Sequence, residues 1–190
     1  FDLGGVIINW NDDWLYDEIT FQLKQPFEKI KLKYNANLCS LFESKINEHQ
    51  FWNIVLGNDN LIDDKIISET FLKKSSINYD FLNFAKSLQI VDQSIGILSN
   101  LTPETSTCVD KELFKDFDYH FYSNLIKLSK PNSEIYQYVC DEIGSKNILF
   151  IDDKQENLDA AKLFGIDTVL FSSNDFVNGL IQEKIYDYLK

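Results

Sequence analysis

Residues 148–171, ILFIDDKQENLDAAKLFGIDTVLF, decide the fold of this chain, because an apolar strand is followed there by a helix and a second apolar strand. The first four residues are all apolar, as is typical of a strand covered by helices on both faces. Residues 154–164 have a helical pattern that Gly165 closes, and residues 168–171 form the second strand. This alternation favours a parallel α/β sheet.

The rest of the chain consists of one helical stretch and further strands. An apolar run at residues 1–8 predicts the first strand, with a break at two glycines. Residues 10–88 are almost wholly helical in pattern, whereas short strands at 95–98 and 120–122 resume the alternation. The helical stretch therefore follows the first strand as an insertion.

We predict an α/β fold with a Rossmann-like parallel sheet flanked by helices, formed by residues 1–9 and 89–190. Residues 10–88 are predicted to form an inserted, all-helical cap. The length of 190 residues fits one domain that carries a modest insertion.

The composition excludes several classes of protein. Hydrophobic residues make up 44% of the chain, which is enough for a core and excludes a disordered protein. The 18 basic residues are all Lys, against 30 Asp and Glu, and the net charge is −12. Nucleic acid is therefore not an expected partner. An anionic ligand would need a local source of positive charge.

The cysteines and the hydropathy pattern bear on the cellular compartment. Cys39, Cys108 and Cys140 are odd in number and far apart, so we interpret them as inert thiols in a reducing compartment. No apolar run reaches the roughly 18 residues that span a membrane. We expect a cytoplasmic protein with no membrane partner. Because the chain has no Met and starts at Phe1 inside a strand, we expect a few residues to precede it.

Polar side chains follow the apolar runs at four places. Ligands bind at the carboxyl ends of the strands in a parallel α/β sheet, so these side chains are candidates for one site. They are Asp2 with Leu3 and Gly4, Ser99 with Asn100, Lys130, and Asp152 with Asp153. Each has an ordinary explanation on its own, because Asp-Asp occurs three times and Ser-Asn often caps a helix. Their order along the chain indicates a common site.

The residue types of this set suit phosphoryl transfer. The Asp2 carboxylate can attack a bound electrophile and form a covalent intermediate. Ser99, Asn100 and Lys130 can hold phosphoryl oxygens. The Asp-Asp pair would repel Asp2 unless a divalent cation lies among them. Mg²⁺ suits that position, because it binds one or two carboxylates together with substrate oxygens and water.

These segments resemble the four motifs of the haloacid dehalogenase (HAD) superfamily. The matching residues are Phe-Asp-Leu-Gly-Gly-Val-Ile at 1–7, Leu-Ser-Asn at 98–100, Lys-Pro at 130–131 with Glu-Ile-Tyr at 134–136, and Phe-Ile-Asp-Asp at 150–153 with Asn157 and Ala160-Ala161. The resemblance covers the whole chain, and the helical insertion corresponds to that family's cap. It is strongest to the small bacterial glucose-1-phosphate phosphatases and the N-terminal phosphatase half of soluble epoxide hydrolases.

The resemblance implies a Mg²⁺-dependent phosphatase that acts on a small phosphomonoester, with a sugar phosphate as one candidate. The implied nucleophile is Asp2, which becomes phosphorylated. The implied metal ligands are Asp2, the backbone carbonyl of Gly4 and Asp153, with Asp152 as a supporting ligand or a group behind the ligands. The implied phosphate-binding residues are Ser99, Asn100 and Lys130, and the implied catalytic residues are Asp2 and Lys130.

One position departs from the usual motif of these phosphatases. Most of them carry a second Asp two residues after the nucleophile, as general acid and base, and here that residue is Gly4. Such help is typically worth about 10²- to 10⁴-fold in rate. Its loss matters least when the leaving group is acidic, as the anomeric oxygen of a sugar 1-phosphate is.

Two other functions stay open on the sequence. A 2-haloacid dehalogenase needs no metal and also lacks the second Asp, but the Asp-Asp pair would then be unneutralised. A catalytically silent HAD-fold protein could serve in binding or regulation, which Gly4 favours and the retained Asp2, Lys130 and Asp153 do not.

We expect the cap to determine which substrate the protein binds. Its candidates for lining a pocket are Trp10, Trp14, Phe51 and Trp52, although aromatic residues at helical spacing more often belong to a core. The sequence names neither the substrate nor the oligomeric state.

Overall fold

The computed structural model describes residues 1–57, 62–145 and 147–190. Its strands within these ranges are short. In chain order they are β1 (Ile8–Asn9), β2 (Ser76–Ile77), β3 (Gly96–Ser99), β4 (Tyr119–Tyr122), β5 (Leu149–Asp152) and β6 (Asp167–Leu170).

Two pairs of parallel strands form the α/β core. β3 pairs with β4 from Gly96 opposite Tyr119, and β5 pairs with β6 from Leu149 opposite Asp167. The predicted α/β fold class is confirmed. Both β3 and β5 are mostly buried, as the apolar character of their sequences requires.

The first two residues of the chain lie between these strand pairs. The Leu98 N–H donates to the Phe1 carbonyl oxygen at 2.9 Å, and the Phe1 amino group donates to the Gly96 carbonyl oxygen at 2.8 Å. On the other side, the Asp2 N–H donates to the Ile151 carbonyl oxygen at 2.9 Å. Asp2 is thereby placed between the ends of β3 and β5.

The first apolar run is broken at its two glycines, as predicted, and its first residues lie with the parallel strands. The chain turns back after Leu3, whose carbonyl oxygen accepts from the Ile8 N–H at 2.7 Å. β1 then pairs antiparallel with β2 and leaves the parallel sheet. Because β2 lies inside residues 10–88, the prediction that this insertion is all-helical is corrected.

The helices account for most of the remaining chain. Within the described residues the α-helices are α1 (Asp12–Leu23), α2 (Lys31–Phe42), α3 (Glu48–Leu56), α4 (Ile66–Lys74), α5 (Tyr79–Ser87), α6 (Pro103–Cys108), α7 (Ser123–Ile126), α8 (Ser133–Ile143), α9 (Gln155–Lys162), α10 (Ser173–Val177) and α11 (Leu180–Tyr188). Local sequence determines several ends: Asn47 and Gln50 form a capping box at α3, and Gly144 ends α8 with a φ of 65°. None of these helices has both the length and the apolar character needed to cross a membrane.

Buried apolar side chains form three clusters. Two of them lie on opposite faces of the parallel strands, because Ile97 and Ile151 belong to one while their neighbours Leu98 and Phe150 belong to the other. The third consists of cap residues, which include Leu15, Ile19, Tyr34, Phe51 and Trp52.

Helix α5 packs with the sheet and not with the cap cluster. Phe81, Leu82 and Ala85 belong to the cluster that contains Ile97 and Ile151. The predicted cap boundary at residue 88 therefore differs from the packing, which joins the last helix of the insertion to the α/β core. The wider division into core and cap stays a prediction.

Candidate active site

The predicted site residues meet at the carboxyl ends of β3 and β5. Ser99 is the last residue of β3, Asp152 is the last residue of β5, and Asp2 lies between them. Lys130 reaches the same place from the turn before α8. All four side chains are buried.

The ammonium group of Lys130 lies between two carboxylates. Its Nζ is 2.7 Å from Asp152 Oδ2, 3.1 Å from Asp2 Oδ2 and 5.2 Å from the centroid of the Phe150 ring. Only 2% of Lys130 is exposed. A buried charge is tolerated when it is paired and hydrogen-bonded, so the two carboxylates offset the burial of the Lys130 ammonium and fix its position.

The hydrogen-bonding capacity of Asp152 is used within the protein. Its Oδ1 accepts from the Lys154 backbone N–H at 2.8 Å, and Asn157 Nδ2 donates to both of its oxygens at 3.0 Å. Burial would raise the pKa of Asp152, but Lys130 and these donors outweigh it and hold the pKa below its usual value. Asp152 therefore orients Lys130. Its contacts suit a residue that supports the metal-binding residues better than a direct metal ligand.

Asp153, in contrast, has a buried oxygen, Oδ1, without a hydrogen-bond partner. Burial, followed by the charges of Asp2 and Asp152, raises the pKa of the Asp153 carboxyl to about 7. One oxygen from each of these three carboxylates lies within 4.8 Å of the others. The group fits a divalent cation, because a cation would satisfy the orphaned oxygen and offset the repulsion.

The two glycines after Leu3 are under different constraints. Gly5 has a φ of 83°, and a Cβ there would collide with the Asp153 carboxylate. Glycine is therefore required at position 5. A Cβ on Gly4 would make an ordinary contact of 3.7 Å with Trp10 Cδ1. Position 4 thus has room for a side chain, and Trp10 is its neighbour.

Ser99 and Asn100 have partners within the protein. Burial, together with the charge of Asp152, raises the pKa of the Asp2 carboxyl, while Lys130 and the nearby Ser99 side chain act to lower it. Asn100 Nδ2 donates to the Lys130 carbonyl oxygen at 2.8 Å, and its Oδ1 accepts from the Lys130 N–H at 2.9 Å. The Asn100 side chain therefore holds the Lys130 backbone. That Asn100 binds phosphate, through its side chain or its backbone N–H, stays a prediction.

A cavity of about 850 Å³ extends from the carboxylates to the helical cap. Its polar end includes Asp2, Ser99, Lys130 and Asp153. Its cap side is lined by residues that include Trp10, Tyr16, Tyr34, Asn35, Leu38 and Phe42. This size is typical of a site for a small molecule.

The four aromatic candidates of the cap have different positions. Trp10 lines the cavity, and Trp14 contacts the Trp10 ring edge-on with centroids 6.0 Å apart. Phe51 and Trp52 are fully buried in the cap cluster. The latter two are therefore core residues.

Sequence reasoning missed an ion pair at the rim of the cavity. Lys154 Nζ lies 2.8 Å from Asp12 Oδ2, and Trp10 Nε1 donates to Asp12 Oδ1 at 2.8 Å. In the sequence, Asp12 has only the pattern of a helix start. Nothing there indicates a partner 142 residues away.

The curated proteins that this chain resembles are longer than the chain. No family model matches it. It is 27% identical over 178 residues to an uncharacterized protein of Saccharomyces cerevisiae. This alignment covers 77% of this chain and 59% of the yeast protein. It is 25% identical over 189 residues to drimenol cyclase drtB of Aspergillus calidoustus. This alignment covers 93% of this chain and 34% of the cyclase. The chain thus spans less than two thirds of either relative.

Solved structures match nearly the whole chain. HAD family enzyme BT-2542 from Bacteroides thetaiotaomicron is 21% identical with a TM-score of 0.75, covering 93% of this chain and 95% of that one. BT-2542 is also known in complex with magnesium and inorganic phosphate. A predicted HAD-like family hydrolase from Porphyromonas gingivalis is 20% identical with a TM-score of 0.78, and the match covers 97% of this chain and 95% of the hydrolase. L-2-haloacid dehalogenase PA0810 is 16% identical with a TM-score of 0.61, and the match covers 90% of this chain and 82% of the dehalogenase. The chain therefore has the fold of the HAD family enzymes.

Proposed function

We propose that the protein is a Mg²⁺-dependent phosphatase that hydrolyses a small phosphomonoester through a phosphorylated Asp2. The observation that carries this proposal is the Lys130 ammonium held between Asp2 and Asp152, beside an Asp153 oxygen without a partner. These groups would supply a nucleophile, a fixed positive charge and a metal ligand at one end of the cavity. The complex of BT-2542 with magnesium and phosphate supports this chemistry on the same fold.

The reaction has two steps at Asp2. In the first, a carboxylate oxygen of Asp2 bonds to phosphorus while the ester P–O bond breaks, and the leaving oxygen takes up a proton. In the second, water attacks the phosphorus and loses a proton, which releases inorganic phosphate and restores the carboxylate. Lys130 stabilises the charge on the phosphoryl oxygens, and Asp152 keeps Lys130 in place.

The charge of the site calls for a cation. The three carboxylates of Asp2, Asp152 and Asp153 lie around the Lys130 ammonium, the nearby Lys154 is paired with Asp12, and a phosphate group adds more negative charge. Asp2, Asp153 and the Gly4 carbonyl would hold Mg²⁺. When bound, Mg²⁺ supplies the positive charge that allows an anionic substrate to approach an anionic nucleophile.

The missing acid at position 4 bears on the substrate. Without a carboxyl group there, esters with acidic leaving groups lose least in rate. A sugar 1-phosphate has such a leaving group. Tyr16 and Asn35, on the cap side of the cavity, are able to hydrogen-bond sugar hydroxyls, which supports this substrate class.

Hydrolysis of an activated aryl phosphate tests the proposal. We expect Mg²⁺-dependent turnover in the wild type, and a loss of about 10³-fold or more in Asp2→Asn because the nucleophile is removed. Asp13→Asn is the matched control, since Asp13 is exposed at the start of α1. A wild type without turnover, or with turnover that EDTA leaves unchanged, would overturn the proposal. Chloride release from 2-chloropropionate in EDTA would identify a dehalogenase instead.

A further inference from the structure

The turn that carries Lys130 is held at its ends by a residue of the cap. Residues 129–132 form this turn, which the Asn132 N–H closes on the Ser129 carbonyl oxygen at 3.0 Å. Asn100 holds its middle through the Lys130 backbone. The ends are held by Glu43, which follows α2 directly.

One carboxylate oxygen of Glu43 bonds to both ends of this turn. Ser129 Oγ donates to Glu43 Oε1 at 2.8 Å, and Asn132 Nδ2 donates to the same oxygen at 3.2 Å. The other oxygen lies 2.6 Å from Lys45 Nζ. Glu43 is 5% exposed and Ser129 is fully buried, so water does not compete freely for these bonds.

The environment keeps the Glu43 carboxyl ionised. Burial would raise its pKa, but the hydrogen bonds from Lys45, Ser129 and Asn132 outweigh burial and hold the pKa below its usual value. Hydrogen bonds to a charged acceptor are stronger than those between neutral groups. Truncation of Glu43 would leave the buried Ser129 hydroxyl without its acceptor, so the turn would lose its rigid support.

The segment around Glu43 also connects the cavity to the core. Ser44 Oγ donates to the Asn124 carbonyl oxygen at 3.1 Å, and Ser123 Oγ donates to the Phe42 carbonyl oxygen at 3.0 Å. Helix α2, which ends at Phe42, also contributes Asn35 and Leu38 to the cap side of the cavity. The substrate-facing helix and the Lys130 turn are therefore joined through one short segment.

We propose that Glu43 is a positioning residue, which holds the 129–132 turn so that Lys130 stays aligned with Asp2 and the phosphoryl group. The inference rests on the proposed phosphatase function for its catalytic consequence. By this inference the cap covers the site and also holds in place the turn that carries Lys130. Glu43 acts through Ser129 and Asn132 and does not contact the substrate.

Hydrogen exchange measured by mass spectrometry tests the support of the turn without any need for activity. We expect faster exchange in the peptide that covers residues 129–132 in Glu43→Ala, and near wild-type exchange in Glu43→Gln, whose amide oxygen still accepts hydrogen bonds. Ser44→Ala is the matched control, because it removes a neighbouring bond between cap and core that does not involve the turn. Unchanged exchange in Glu43→Ala would overturn the proposal.

Kinetics of aryl phosphate hydrolysis test the catalytic consequence. We expect Glu43→Ala to lower kcat about tenfold to a hundredfold and to weaken inhibition by inorganic phosphate, because a misplaced Lys130 binds the phosphoryl group less well. Glu43→Gln should recover most of kcat, and Ser44→Ala should stay within about twofold of the wild type. If Glu43→Ala does not fold, Ser129→Ala removes the same bond from the other side and must lower kcat with the same loss of phosphate inhibition.

The outcomes separate this inference from the proposed function. Equal kinetics in Glu43→Ala and Ser44→Ala, or a lower thermal stability with unchanged phosphate inhibition, would overturn the positioning role. A wild type without turnover overturns the proposed function, and the exchange data then still decide whether Glu43 holds the turn.

Discussion

The buried carboxyl of Glu48 predicts a pH-dependent stability that one substitution removes. Glu48 begins α3 in the cap, and its Oε1 accepts from the Ile67 N–H at 2.7 Å. Its Oε2 is buried without a partner, and the Glu48 N–H lies 3.5 Å from Glu104 Oε1 on α6 of the core. Burial is the largest cause that raises the pKa of Glu48 to about 7, and the Glu104 charge adds to it.

The size and sign of the effect follow from this pKa. Below pH 4.5, Glu48 is protonated in the folded and the unfolded protein, so it contributes no pH dependence. Between pH 4.5 and 7, the unfolded chain releases the proton that the folded protein retains, so stability falls as pH rises. The shift from 4.5 to about 7 corresponds to about 3 kcal/mol, lost in full above pH 7.

Urea unfolding of the wild type and Glu48→Gln across this pH range measures the effect. We expect the variant to gain up to about 3 kcal/mol over the wild type between pH 4.5 and 8, because Gln carries no charge and has no proton to release in this range. Other carboxyls titrate in both proteins and cancel in the difference. Glu28→Gln, at an exposed position of the cap, is the control and should show no such trend. A difference between Glu48→Gln and the wild type that does not change with pH would refute the reasoning.

Three further predictions concern the site. Asp152→Asn should destabilise the fold by about 3 kcal/mol in urea unfolding, since it removes a partner of the buried Lys130 charge; a cost below about 1 kcal/mol would contradict the pairing. Gly5→Ala should cost at least about 1 kcal/mol, because of its positive φ and the Asp153 collision, whereas Gly4→Ala should fold normally; equal stabilities would show that the turn is not constrained. Mg²⁺ should raise the thermal unfolding midpoint of the wild type and not of Asp153→Asn; an equal rise in both would exclude Asp153 as a ligand.

Much of the fold was predictable, because its signals are local. The apolar run before Asp152 and the Gly144 helix end depend on neighbouring residues, and both appear in the structure as predicted. The path of the chain after the break at the two glycines was not predictable, because Ile8 bonds back to Leu3 and β1 then pairs with β2, which is far away in sequence. The position of α5 depends on which apolar face it meets, and helical periodicity does not contain that information.

For the site, the sequence by itself determined which chemical groups are available and their order along the chain, from Asp2 to Asp153. Only the tertiary structure decided their roles: Asp152 is occupied by Lys130, Asp153 keeps a free oxygen, and Asn100 holds the Lys130 backbone. The physical reason is that burial and hydrogen bonding depend on distances between groups far apart in sequence. Two adjacent aspartates with the same chemistry thus acquire opposite pKa shifts from their surroundings.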